Sequence, residues 1–329
     1  MNEAWQRFEA TLRGEVTRRV PLTHTWGLHH AHAAKMLGRE PTTEEDRLEY
    51  LRLLDTHMGL RVYYGQPFGS QKAVASDGTT HYIGGAIAPG DSLTGYKLPE
   101  VSKLVEQYRP VAELSHKWGA AAEGVVTSCV HALSTALGLD AFAIACYENP
   151  DWLDEAMELV ERRNRLAITA MIEAGFDIVL FDGDCAFKQG LMISPDMMRR
   201  FWFDKTHRTV SLLHEAGVWA YYHTDGKVDE VLPMLIELGF AAFHGCEKAA
   251  NDLAHLKEQF GSRITLIGNA DHAELTFQTP EQIRRTTEEM LSAGAPGGRY
   301  VADVNTMVPD CAVENYEAFV DTVRAFRRW

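Results

Sequence analysis

A chain of 329 residues, 46% of them hydrophobic, has material for a large core, which excludes a disordered chain. The formal net charge of -14 argues against nonspecific binding to nucleic acid or to an anionic membrane, both of which reward basic surface, yet still allows a pocket for a small anion. Cys129, Cys146, Cys185, Cys246 and Cys311 are odd in number, widely spaced and without a CxxC pair, a pattern of free thiols in a reducing compartment. Charges run through residues 1–19 where a signal peptide would be apolar, and no stretch nears the ~20 apolar residues of a membrane span, so the cytoplasm is the expected location.

In chain order, residues 2–13 read as a helix with Trp5, Phe8 and Leu12 on one stripe, and residues 20–26 as a first strand. Thr43 followed by Asp46 starts a helix over 42–58, and a poorly defined strand lies near 58–64. Residues 63–95, rich in Gly, Tyr and turn residues, form a hairpin-like insertion around Asp77-Gly78. A helix over 101–118 leads to a strand over 122–127, and a long helix over 150–174, closed by Gly175, leads to a strand over 176–181. Ser194-Pro195 opens a helix through 196–216, and the run 218–222 follows. Shorter units then alternate: helix 227–238, strand 240–244, helix 249–259, strand 263–268, helix 280–292, strand 299–304 and helix 313–327. Alternating strands and helices predict a mostly parallel sheet. About eight strands and no Pro/Ser/Gly-rich linker favour one closed (β/α)8 TIM barrel over residues 1–329, a single domain with an N-terminal helix; an open doubly wound sheet is the alternative.

Four apolar runs end in polar side chains suited to proton or metal chemistry. They stop at His223-Thr224-Asp225, at His244-Gly245-Cys246-Glu247, at Asn269-Ala270-Asp271 and at Asp303-Val304-Asn305. Residues i and i+2 of an extended segment point to one side, so His223 and Asp225 can converge on one ion or substrate. Asp182-Gly183-Asp184 ends a fifth run in the same way. Its carboxylates either cap the next segment or hold a substrate group or a histidine. Glu247 is a metal ligand or general base, or else pairs with Lys248. Asn269 and Asp271 read equally well as a helix cap. Of His24, His29, His30 and His32, His24 or His29 is the better choice to reach a pocket, and His131 is a further candidate. No Gly-rich phosphate loop is present.

These pieces resemble the uroporphyrinogen decarboxylase superfamily, which includes corrinoid-linked methyltransferases as well as the haem-pathway decarboxylase. The resemblance rests on Arg13-Gly14-Glu15 with Arg19-Val20-Pro21, on residues 182–187 followed by Gly190 to Pro195, on His223 to Gly226, on Gly268 to Asp271 and on Glu314-Asn315. It implies a (β/α)8 barrel with its site at the C-terminal ends of the strands. The decarboxylase carries an arginine-rich segment after its first strand for grasping propionates. Here that place reads Thr25-Trp26-Gly27-Leu28-His29, with no arginine before Arg39, so charge-assisted clamps for a polycarboxylate are missing. The zinc methyltransferases of the superfamily resemble His-x-Cys where this chain has His223-Thr224-Asp225. Their more distant cysteine falls near Val304-Asn305, with Cys311 displaced by several residues.

The resemblance to the methyltransferase branch implies transfer of a methyl group from a small methylated donor, such as an O-methyl ether, to a corrinoid protein or similar acceptor. Zinc, and a corrinoid carried by a partner protein, are the cofactors implied, and a homodimer is an allowed assembly. The expected metal set is His223, Asp225 and Glu247, the catalytic set His223, Asp184 and Asp182, and the substrate-binding set Trp26, His29, Asn269 and Asn305. One alternative is a decarboxylase acting on a less acidic substrate, with Asp184 stabilising a protonated intermediate and His223 donating the proton. Another is a non-catalytic ligand-binding barrel.

Overall fold

The structure, a computed structural model, describes residues 1–75, 78–305 and 311–327. Seven strands form one parallel sheet whose spatial order is the chain order: β1 (Met58–Tyr64), β2 (Ala121–Thr127), β3 (Ile178–Asp182), β4 (Trp219–His223), β5 (Ala242–His244), β6 (Thr265–Ala270) and β7 (Tyr300–Val304). Helices fill the connections, as parallel neighbours require. The expected first strand at 20–26 is reduced to one parallel bridge, Leu22 to Ala302 of β7. On that side Thr23 donates its N–H to the Ala302 carbonyl, and Ala302 donates to that of Pro21. On the other side the His24 N–H meets the Met58 sulfur of β1, and the Arg61 guanidinium donates to the Thr25 carbonyl. The segment thus lies between the two edge strands as an eighth stave, and the sheet curls into a (β/α)8-type barrel. Pro21, which has no N–H to give, accounts in part for the brevity of its pairing.

The strand near 58–64, poorly marked in sequence, is a full seven residues long in parallel register with β2. The insertion is a hairpin, Ser70–Val74 against Thr80–Gly85; Asp77 of the expected turn lies outside the described residues. Helices unread from sequence occupy His30–Leu37, Cys129–Leu137 and Leu139–Glu148, and the cap read at Asp271 opens a short helix, His272–Phe277. The expected helix over 196–216 is interrupted by a π-helical turn, Arg199–Phe203. No single helix among the described residues is long and apolar enough to cross a membrane.

Strand alternation divides the core in two. One set of alternate residues, including Val126, Phe181, Tyr222, Phe243 and Ala302, packs under the surrounding helices. The other, including Val125, Leu180, Tyr221, Ala242, Ile267 and Val301, fills the barrel together with Trp5, Phe8 and Leu12. The N-terminal helix, Glu3–Arg13, with Asn2 capping it through the Trp5 N–H, therefore plugs the barrel. Phe8 is 1% exposed and stacks on His57, ring centroids 3.5 Å apart. Truncating it leaves a void under a histidine that burial holds neutral, its pKa lowered to about 3. Phe8→Ala is expected to cost ~3–5 kcal/mol in urea unfolding; a loss under ~1 kcal/mol would mean that the helix does not seal the barrel.

Candidate active site at the barrel mouth

Register sets the site. Thr127 pairs with Asp182, Asp182 with His223, and His223 with His244, so four neighbouring strands bring polar side chains to one level above the apolar layer. The turns that follow are built tightly. The Thr224 hydroxyl accepts from the Cys185 N–H at 3.0 Å, and the Gly183 N–H donates to the His223 carbonyl, also at 3.0 Å, which ties the loop after β3 to β4. Gly245 has φ +127°, and a Cβ there would sit 2.1 Å from the Thr224 carbonyl oxygen, so only glycine lets β5 turn beside β4.

Asp184, His223 and Asp225 each present a donor atom within 4.8 Å of the others. The Asp225 N–H donates to Asp184 Oδ1 at 3.1 Å, and His223 Nε2 lies 3.8 Å from the same oxygen. Asp225 Oδ1 is buried and has no hydrogen-bond partner. Burial pushes the Asp225 carboxyl up to about 7, and the charges of Asp184, Glu247 and Asp182 push in the same direction against the pull of His244. Burial also raises Asp182, although Tyr63 donates its hydroxyl proton to Asp182 Oδ2 at 2.8 Å. His223 moves the other way: burial first, then His244 and His131, hold it well below the ordinary imidazole value, so its ring is neutral. Asp225 is therefore the group whose carboxyl is raised toward neutrality, where the decarboxylase alternative had taken His223 as the proton donor.

The donor set differs from the expected one, with Asp184 in the place given to Glu247. Glu247 Oε2 accepts from the Gly226 N–H at 3.1 Å, and its Oε1 lies 3.6 Å from Lys188 Nζ; Lys248 pairs instead with Glu274. Two carboxylates and an imidazole form an oxygen-and-nitrogen set that suits zinc or another divalent ion, and the unpartnered, crowded Asp225 oxygen is the atom a cation would satisfy. No thiol belongs to this set among the described residues.

Trp26 stands against the site, its ring edge-on to His223 at 5.0 Å and to His244 at 6.4 Å, with Arg61 over its face at 5.6 Å. His29 uses both ring nitrogens elsewhere. Nδ1 accepts from the His32 N–H, capping a helix, and Nε2 lies 2.8 Å from the Cys311 carbonyl. His24 is buried against the Tyr316 hydroxyl at 2.9 Å, with its pKa lowered to about 4 by burial. Asn269, in the left-handed region at φ +88°, and Asn305 tie together the ends of β5, β6 and β7. The Asn269 N–H donates to Asn305 Oδ1 at 2.8 Å, and its side-chain amide donates to the Cys246 carbonyl. Asp271 caps the helix after it. His131 Nδ1 accepts the Asp184 N–H at 3.0 Å, which holds the backbone that carries that carboxylate, and lies 3.7 Å from its Oδ2. Sequence reasoning gave no role to Tyr63, His244 or Asp303. The last two were visible only as polar ends of apolar runs, and Tyr63 sits on the strand the sequence marked least well.

The fold holds the Asp225 proton more tightly than the unfolded chain does. The stability this supplies is complete below the unfolded value near 3.9 and is lost as pH rises through about 7. In metal-free protein Asp225→Asn, which cannot ionise, is expected to be more stable than the parent near pH 8 by ~1–2 kcal/mol after solvent screening, with the gap smaller near pH 5 and closing only below about pH 4. Urea unfolding at both pH values checks this, and an equal gap at both would remove the electrostatic cause.

Among solved structures, a methyltransferase from Methanosarcina mazei is similar over 98% of both chains, at 20% identity and TM-score 0.74. A B12-independent methionine synthase from Shewanella sp. W3-18-1, in complex with selenomethionine, is similar over 78% of this chain and 74% of its own, at 13% identity and TM-score 0.51. At these identities the likeness establishes the fold. No curated protein sequence matches. The sequence pattern of the family described as Uroporphyrinogen decarboxylase (URO-D) matches residues 75–326. The chain belongs to the uroporphyrinogen decarboxylase family.

Proposed function

We propose that this protein is a methyltransferase of its family, moving a methyl group from a small methylated donor, an O-methyl ether being the expected kind, to a corrinoid carried by a partner protein at the barrel mouth. The observation that carries the reading is the convergence of Asp184, His223 and Asp225 on one point, with Asp225 Oδ1 buried and unpartnered. The acidity of the mouth supports it as well. Asp182, Asp184, Asp225 and Glu247 act on one another's charge, and Arg61, whose field reaches Asp182, is itself paired with Glu123. Such a mouth repels a polycarboxylate and attracts a cation. The similar Methanosarcina mazei structure is itself described as a methyltransferase.

A divalent ion held there would supply Lewis acidity for the oxygen or sulfur that leaves the methyl group. The remaining work falls to the chain. His223 offers a neutral ring rather than a competing positive charge, and Asp184 is aimed by the His131 and Asp225 contacts. Trp26 sets its ring edge-on against His223, an apolar wall beside the donor set. Tyr63, with its hydroxyl on Asp182 and its side chain exposed at the rim, stands where a donor must pass. The decarboxylase alternative has one feature in its favour: Asp225, poised near neutrality, is a fitting proton donor to a carbanion.

Elemental analysis of protein purified without added metal, beside a His223→Ala variant, tests the reading. About one zinc per chain, lost in the variant, is expected. Methyl transfer to a corrinoid acceptor should then stop in chelator. No metal in either protein, or CO₂ release from a carboxylated substrate at full rate in chelator, would overturn the proposal in favour of decarboxylation.

A further inference from the structure

Behind His223 lies a buried chain of groups that the site has not yet used. Asp303 at the end of β7 is 1% exposed and His244 is fully buried. Asp303 Oδ2 accepts from the Thr25 N–H at 3.0 Å and from the Thr25 hydroxyl at 2.5 Å, while Oδ1 accepts from the Val304 N–H at 2.8 Å. His244 Nε2 lies 3.2 Å from Asp303 Oδ2, and His244 Nδ1 lies 2.8 Å from His223 Nδ1. The 3.2 Å contact is off the line of a hydrogen bond, and Nε2 has no other partner.

Two ring nitrogens 2.8 Å apart share one proton, and with one proton on each ring two arrangements remain. In the first, His244 carries its proton on Nε2 toward Asp303, its bare Nδ1 accepts from His223 Nδ1–H, and His223 Nε2 is left as a lone pair facing Asp184. In the second, both protons move. His244 Nε2 then presents a lone pair to a carboxylate oxygen at 3.2 Å, and His223 Nε2–H points at Asp184 Oδ1 at 3.8 Å. Each arrangement sets one lone pair against one carboxylate, so distance and dryness decide between them. The Asp303 contact is the shorter, between side chains 0% and 2% exposed; the Asp184 contact joins side chains 6% and 37% exposed, where water screens the repulsion. The first arrangement is favoured.

We infer that Asp303 and His244 are positioning residues that fix the tautomer of His223, presenting its bare Nε2 to the cation site. The inference rests on the metal reading above for its use, although not for its geometry. A histidine ligand is ordinarily held by a single acceptor behind its second nitrogen. Here that acceptor is a second histidine, set in turn by a carboxylate that also fastens the Thr25 segment, the eighth stave of the barrel.

The test is long-range ¹H–¹⁵N correlation of the histidine rings in metal-free protein, with zinc titration of variants. In the parent, His223 is expected to show a protonated Nδ1 and a bare Nε2. His244→Phe, which removes the acceptor, should move the proton to Nε2 and weaken Zn²⁺ binding by ~10–100-fold. His244→Gln, whose amide oxygen can accept from His223 Nδ1–H, should restore both. A protonated Nε2 on His223 in the parent overturns the inference, as does unchanged zinc affinity in His244→Phe. The parent spectrum decides the tautomer even if His244→Phe fails to fold. It also separates the two ideas: a bare Nε2 in a protein that takes up no zinc would sink the metal reading and leave the positioning role standing.

Discussion

Parallel register is the constraint on which the site depends. Because side chains alternate along a strand, the residue level with its neighbour on the next strand shares its face, and a slip of one position would turn the whole set away. The pairing of Asp182 with His223 and of His223 with His244 gives three adjacent strands inward polar ends at one height. The same alternation one step below gives Leu180, Tyr221 and Ala242, an apolar floor sealed by Trp5, Phe8 and Leu12. The apolar floor holds the register, and the register holds the polar ring.

That ring is electrostatically uncomfortable. Asp225 and Asp182 are both pushed toward their protonated forms, and His223 toward its neutral one, because burial penalises each charge before any neighbour acts. Folding tolerates such a cluster because the barrel core beneath it is extensive, a pattern common to functional sites. The buried pair of Arg61 and Glu123, with the Tyr221 hydroxyl on the same carboxylate, lies deeper and is fully matched. The contrast is between a satisfied ion pair inside and one buried, unpartnered carboxylate oxygen, Asp225 Oδ1, at the mouth.

Family membership and this local chemistry constrain each other. The family pattern over residues 75–326 establishes the scaffold, and the likeness to the Methanosarcina mazei structure agrees with it end to end. Neither decides the reaction, since one barrel supports many chemistries through its strand-end loops. Here the loops offer carboxylates in place of the thiolates of the zinc methyltransferases this chain resembles, and Arg61 is engaged inside the barrel instead of reaching for propionates. The proposed methyl transfer is the reading that this local inventory supports.

The sequence by itself determined the parallel α/β architecture, most strand positions to within two residues, and the polar strand ends at 182–184, 223–225, 244 and 303. These follow from local periodicity and from the punctuation supplied by glycine and proline. It also indicated that His223 and Asp225 face one way. Tertiary structure decided which ends meet. Asp184 reaches His223 through the turn at Gly183, Glu247 is drawn to the Gly226 N–H, and His29 is consumed by a cap and by the Cys311 carbonyl. It also reduced the first strand to one bridge, because pairing at Pro21 depends on both edge strands, which lie far away in sequence. Proton positions were wholly beyond the sequence. Burial governs them, and burial is a property of neighbours that come together only when the sheet closes.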